Sequence, residues 1–458
     1  MRIATMGTTV PANGLVLRRL AALFCTLAAA IFLSSPASAV PAFAVQTGMA
    51  CQACHIGAFG PHLTPFGREF KLHGYTMRSG DAFTAPVSAM AVFSYVHTAK
   101  DQPPPAPHYA TNDNTTLDEA SIFLAGGDGS HFGGFAQATY DGVGRSFSWD
   151  NLDLRAVDQM TLFGQDALVG LSFNNSPTIQ DAWATLPGWG YPFTDSALMP
   201  GPSAATVISD ALAQNVLGLS AYAWWNDSFY TEIGLYASPS TGFLKTVGVD
   251  PADTSEIHGV APYIRTAYQK DYGDQNFEIG AFGLFPNLYP GRDKSTGKTD
   301  NYSDIGIDAS YQFTGSGENI FTTNARYVHE SQSLNATQAL GGAANKNLDL
   351  QEVNLNASYY YLNTYGVTVG LFDTWGKKDP VAYADNRTFA PDSTGFIFQT
   401  DVTPFGGEDA PWDRRLNLRL GLQYIIYTKF NGAGSNYDGL GHNASDNNTL
   451  RIFLWTAF

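Results

Sequence analysis

Cysteine is nearly absent: the 458 residues hold three, at 25, 51 and 54. Cys25 lies in the apolar run Leu20 to Leu33, behind Arg18 and Arg19 and ahead of Ala37-Ser38-Ala39. A short basic start, an apolar run too brief for a bilayer and a small-residue site mark a removable export signal. Residues 1–39 are therefore expected to leave, with the mature chain beginning near Val40. Two cysteines remain, too few for a disulfide framework and without the further ligands that a zinc site needs. Long apolar runs are missing as well. After the signal no stretch approaches the ~20 apolar residues of a transmembrane helix, which excludes a helical span. Positive charge is scarce, with 25 Lys and Arg against 41 Asp and Glu and a net charge of −16. That balance disfavours nucleic acid as a partner. The glycines around 125–134 lack the strand–helix context of a nucleotide fingerprint.

What the chain does hold is Cys51-Gln-Ala-Cys54-His55. Two thiols three positions apart, followed at once by a histidine, form the c-type haem attachment motif. The thiols would bond the two haem vinyl groups and the imidazole would bind iron from the proximal side. A redox dithiol reading would want a βαβ pattern nearby, and none follows. The expectation is one covalent haem c, with attachment at Cys51 and Cys54 and His55 as the proximal ligand.

From about Ser88 to the end, apolar and polar residues alternate in segments separated by turns. Leu416, Leu418, Leu420, Leu422, Tyr424 and Ile426 oppose Asn417, Arg419 and Gln423; Ile305, Ile307, Ala309, Tyr311 and Phe313 oppose Asp304, Asp308 and Gln312. Period-two alternation with one lipid-compatible and one wet face is the signature of an outer-membrane β-barrel. The segments number sixteen: 88–98, 117–127, 131–142, 150–160, 166–175, 214–225, 228–238, 259–269, 275–286, 303–314, 319–330, 350–361, 365–375, 393–402, 414–428 and 447–458. Their connections alternate long and short, as extracellular loops and periplasmic turns do; only 403–413 is too long for its place. That parity puts both barrel ends on the periplasmic side. The last strand ends on Phe458, like the assembly signal of outer-membrane barrels. Trp224, Trp225, Trp375 and Trp455 fall near strand ends, where aromatic girdles belong, although core tryptophans would read the same. Asp153, Arg155, Arg265, Glu278, Asp304, Asp308, Arg326, Glu352, Arg415 and Arg419 are expected to face inward.

Between motif and barrel lies Gly60-Pro-His-Leu-Thr-Pro-Phe-Gly-Arg-Glu-Phe-Lys-Leu-His-Gly-Tyr75. Thr64 suits a helix N-cap, Pro65 its first position and Gly74 its end. So short a helix cannot stand alone. Phe66, Phe70 and His73 share one face, with Phe66 and Phe70 expected to pack on the haem. Lys71 and Arg68 are candidates to meet its propionates. Residues 40–86 are too few for a separate globular core, so the barrel lumen must enclose the haem. The segment 176–213, with Trp183, Trp189, Tyr191 and Phe193, is expected to fold in or over it.

These features resemble the fused cytochrome–porin family of bacterial outer membranes, the iron-oxidising outer-membrane cytochromes. Its pattern, close to PxLxxFGxxFKxxGY, is matched by Pro61, Leu63, Phe66, Gly67, Phe70, Lys71, Gly74 and Tyr75. The resemblance implies an all-β outer-membrane barrel of about sixteen antiparallel strands (87–458) with a small helical haem segment (40–86) plugging its lumen. It also implies one-electron transfer across the outer membrane; the donor, which the resemblance does not fix, is expected to be extracellular, Fe(II) first, and the acceptor a periplasmic c-type cytochrome or other carrier. Candidates for the distal iron ligand are Met90, His73 and Met77, in that order, with His62 also at a free position of the pattern. Met90 opens the first strand on the face opposite Phe93 and Tyr95, and a methionine ligand raises the potential. A solute porin whose haem segment is structural or regulatory remains the alternative.

Overall fold

The computed structural model describes residues 42–80, 87–209, 211–252, 254–408, 410–411 and 416–458. The expected signal with Cys25 and its cleavage site, the mature start at Val40 and the inward Arg415 lie outside the described residues. Sixteen strands form the wall. They are β1 Val87–Thr98, β2 Asn114–Gly127, β3 Phe132–Asp141, β4 Ser146–Leu162, β5 Gln165–Asn174, β6 Leu217–Trp225, β7 Phe229–Ala237 and β8 Ala261–Tyr272, followed by β9 Gln275–Leu284, β10 Asp300–Phe313, β11 Asn319–Ser333, β12 Asn347–Tyr361, β13 Tyr365–Gly376, β14 Ser393–Val402, β15 Asn417–Lys429 and β16 Thr449–Ala457. Each pairs antiparallel with the next, and β16 pairs with β1, Val92 standing opposite Trp455. The sheet is thus a closed antiparallel barrel with no free edge. All sixteen expected segments are strands. Two short additions, Glu256–Ile257 and Asn287–Tyr289, pair with each other between long loops.

Alternation along the strands sorts residues as expected. Ile233, Ile279 and Ile307 are 64%, 62% and 58% exposed on the outside, while Arg265, Asp304 and Gln423 are fully buried within. Trp224 and Trp455 are buried and face inward, so they do not belong to an outer girdle. Among the described residues no helix is long and apolar enough to cross a membrane.

The connections 128–131, 163–164, 226–228, 273–274, 314–318 and 362–364 are short and share one end of the barrel. The long ones, led by 175–216, start from the other end. The exception 403–416 lies at the short-turn end, where Gly406 meets the N-terminal segment: its carbonyl accepts from the Gln52 N–H at 3.1 Å.

Two segments fill the interior. The first runs from 42 to 80 and carries helices α1 Ala42–Thr47, α2 Cys51–Cys54 and α3 Pro65–Leu72. The second, 175–216, folds inward from between β5 and β6 and buries Ile179, Trp183, Leu186, Ile208, Leu212 and Val216.

Candidate functional site

The site begins with α3. Thr64 Oγ1 caps it by accepting from the Gly67 N–H at 3.1 Å, and donates to the Ala53 carbonyl at 2.6 Å, tying α3 to α2. Gly67 permits a closer approach. A Cβ there would lie 2.2 Å from the Cys54 carbonyl oxygen, so only glycine lets the two helices touch. The loop between them is fixed to the wall. Asn363 accepts from the Gly57 N–H at 2.6 Å and donates to the His55 carbonyl at 3.0 Å. Asn417 donates to the Ala58 carbonyl at 2.8 Å, and Arg419 to the carbonyls of Gly57 and Phe59. At the far end Gln46 bonds the carbonyls of Tyr75 and Met77, at 2.7 and 2.8 Å, and the Gly127 N–H. The Tyr75 hydroxyl donates to Asp153 at 2.8 Å. The segment is therefore seated inside the barrel at its short-turn end, as the shortness of α3 required.

Cys51, Cys54 and His55 line one cavity of about 480 Å³, within the range that encloses a drug-sized ligand. Both thiols are free and half-buried. Phe43, Phe59, Leu63, Phe70, Phe135 and Trp189 make much of the wall apolar. Burial pushes the Cys54 thiol up to about 11, with the Cys51 sulfur adding to it, and raises Cys51 too. Burial, reinforced by Arg419, pushes the His55 imidazole down to about 4, so it is neutral at pH 7 and able to ligate. Its Nδ1 is buried without a hydrogen-bond partner. Free thiols, a neutral imidazole and an apolar chamber fit a covalently attached, largely apolar macrocycle.

The cavity separates the expected site residues. Met90 lines it, with its sulfur accepting from Trp455 Nε1 at 3.4 Å. His73 does not: its Nδ1 bonds the Glu69 carbonyl at 2.9 Å at the end of α3. Met77 packs beside Ala42, Phe70 and Phe135 and is not part of the wall. His62 is buried, its Nε2 3.1 Å from Gln312 Nε2, and is likewise outside the wall. Phe70 lines the cavity, but Phe66 does not. The face of α3 turned to the chamber is Gly67, Phe70 and Lys71, one position round from the Phe66, Phe70 and His73 face, because the Gly67 contact sets the helix rotation.

The two cations diverge as well. Arg68 points away, to Gln269, Asn276 and Gln312 on β8, β9 and β10. Lys71 lines the cavity, donates to the carbonyls of Ile179 and Asp181 at 2.8 and 2.7 Å, and lies 4.7 Å from the centre of the Trp189 ring. Burial, with Arg155 nearby, pushes its amine down to about 7. Sequence reasoning missed the Trp455–Met90 contact, whose partners are 365 residues apart. It also missed the wall residues Phe43 and Phe59, which carried no pattern of their own.

No protein-family profile matches the chain, and none of the curated proteins does. Solved structures overlap it at low identity. The anion-selective porin from Comamonas acidovorans is 11% identical, with a TM-score of 0.44 over 81% of this chain and 98% of that one. The outer-membrane channel DcaP of Acinetobacter baumannii is 11% identical, TM-score 0.43, over 81% and 96%. OmpT of Vibrio cholerae is 10% identical, TM-score 0.42, over 81% and 96%.

Proposed function

We propose that this chain is an outer-membrane cytochrome–porin: a barrel that holds one covalent haem c and passes single electrons between an extracellular donor, Fe(II) first, and a periplasmic carrier such as a c-type cytochrome. The observation that carries this reading is the convergence of Cys51, Cys54 and His55 on one largely apolar cavity inside a closed barrel. The apolar outer face, with Ile233, Ile279 and Ile307 exposed, supports burial in lipid. The alternation of loop lengths supports short turns, and with them both ends of the barrel, toward the periplasm. The resemblance at 51–75 supports the cytochrome–porin family.

In this reading Cys51 and Cys54 would hold the haem through thioethers, and the neutral His55 imidazole would be a ligand to its iron. Of the expected candidates Met90, His73 and Met77, Met90 is the one that lines the cavity, and it would supply the other iron ligand. Haem, when bound, supplies a one-electron couple. The protein supplies enclosure: Phe43, Phe59, Phe70 and Trp189 line the chamber with apolar surface, and Lys71 is the amine of that wall that would meet a propionate. The inward fold of 175–216 favours electron passage over free solute passage, because its buried side chains occupy the lumen.

The test adds Fe(II) outside intact cells and follows haem absorbance, with His55→Ala as control. Reduction in the parent and its loss in the variant are expected. Reduction by another external donor but not Fe(II) removes the iron assignment alone. Small-solute flux unchanged in His55→Ala, without haem reduction by any external donor, replaces the conduit with a solute porin.

A further inference from the structure

Trp455 and Met90 make a contact that the function above leaves unused. β1 turns Met90 to the lumen, and β16, which closes the barrel against it, turns Trp455 the same way. Trp455 Nε1 donates to Met90 Sδ at 3.4 Å, and both side chains line the cavity that contains Cys51, Cys54 and His55. An indole N–H is a donor only, and when buried it seeks an acceptor. A thioether is a weak acceptor, so this pairing needs the indole held in place. Two neighbours hold it. The Phe59 ring lies 4.7 Å away at 55°, and the Arg419 guanidinium 6.0 Å from the indole centre. Phe59 belongs to the same loop as His55, so the motif that presents the proximal imidazole also fixes the indole.

We propose that Trp455 is a positioning residue for Met90, setting the orientation and donor strength of its sulfur as a haem-iron ligand. The inference rests on the haem reading above. A thioether sulfur has two lone pairs. The N–H engages one, which orients the side chain and leaves the other for iron. It also draws electron density from sulfur, making it a poorer donor and favouring the ferrous state. Hydrogen bonding around a ligand is one of the protein's levers on redox potential.

The experiment uses the full haem-loaded chain in detergent, with heat-modifiable migration confirming assembly of every variant. Trp455→Phe keeps an aromatic ring and deletes the N–H. Haem stain should be unchanged and the thioether-to-ferric-iron absorption band retained. The ferric-to-ferrous ratio at fixed ambient potential should rise about fivefold, the equivalent of one hydrogen bond of about 1 kcal/mol. Met90→Leu should abolish the band, and adding Trp455→Phe to it should change the ratio no further. An unchanged ratio in Trp455→Phe overturns the proposal. An equal shift in the Met90→Leu background also overturns it, because the indole then acts through packing. A band that survives Met90→Leu removes Met90 as ligand, and the inference with it, while haem stain keeps the cytochrome reading. Absence of covalent haem from the parent chain removes both.

Discussion

The two segments inside the barrel are built in opposite ways. The strap, 175–216, is tied to the wall by rows of hydrogen bonds. Glu352, Glu330 and Asp304, on neighbouring strands β12, β11 and β10, accept from the consecutive N–H groups of Thr206, Val207 and Ile208 at 2.6, 2.6 and 2.7 Å. Asp181 accepts from the N–H groups of Trp183, Thr185 and Leu186, and meets Arg265 at 3.2 Å. Where Ala184, Thr185 and Tyr191 meet the wall the packing leaves a gap of about 20 Å³, while the stretch 187–193 turns to the cavity of the N-terminal segment. The N-terminal segment is anchored as firmly at its edges, by Gln46, Asn363, Asn417 and Arg419, yet surrounds a cavity of about 480 Å³ with two thiols that form no disulfide. Interiors are close-packed by default. A firmly held segment around a large chamber is what the haem proposal requires, whereas most of the strap packs directly against the wall.

The sharpest way to break that contrast is Cys51→Ser with Cys54→Ser. If the chamber is a haem seat, covalent haem stain falls to zero while heat-modifiable migration stays normal. A barrel that fails to assemble without the thiols would make them structural and erase the distinction. The next largest effect belongs to the strap. Arg265 is fully buried and lies 2.9 Å from Asp308, 3.2 Å from Asp181 and 3.4 Å from Glu278. Arg265→Met leaves three carboxylates without their cation, a loss of about 3–5 kcal/mol. The temperature of the heat-modifiable transition should drop steeply. Haem loading in the protein that does assemble should change little, and a parallel loss would mean that strap and seat form one unit.

A smaller, inverse effect is expected at Gly67. A methyl group there meets the Cys54 backbone at 2.2 Å, and backbone cannot step aside as a flexible side chain would. Gly67→Ala should therefore push α3 off α2, a strain of about 1–3 kcal/mol. The fraction of chains carrying haem should fall with the barrel's melting unchanged. Normal loading would mean that the two helices need not touch to present the motif.

The wall was legible because lipid outside and polar groups inside impose period two on every strand. Segment 414–428 became Asn417–Lys429, with Leu420, Leu422 and Tyr424 outward and Arg419 and Gln423 inward. The loop strands Glu256–Ile257 and Asn287–Tyr289 are too short to carry any period. The α3 cap was legible from Thr64 and Pro65 because capping is local. The rotation of α3 was not, since it depends on Gly67 against Cys54 and on Gly74, whose φ of +63° places it against Arg155 and Val157 of β4. The roles of Asp304, Glu330 and Glu352 were not legible, because they accept from backbone N–H groups of the strap, which leave no trace in residue type.

The smallest expected effect tests whether polar anchoring of loops is peculiar to the interior. Asp379, in the long connection 377–392, accepts from the N–H groups of Ala344, Asn345, Val381 and Ala382 at 2.7–3.0 Å, joining two long loops outside the lumen. Burial alone would raise its carboxyl. The four backbone donors outweigh burial and hold it at about 2, below its ordinary 3.8. Because the native value is the lower one, the stabilisation is fully present above about pH 4 and is lost as pH falls through about 2. Limited proteolysis of 334–346 and 377–392 should stay slow from neutral pH to about pH 4 and quicken below it. Asp379→Asn, lacking the titrating charge, should be cut faster at neutral pH and show a flat profile across that window. Identical profiles for parent and variant would mean that these loops are held by their own packing, leaving carboxylate anchoring as a property of the strap alone.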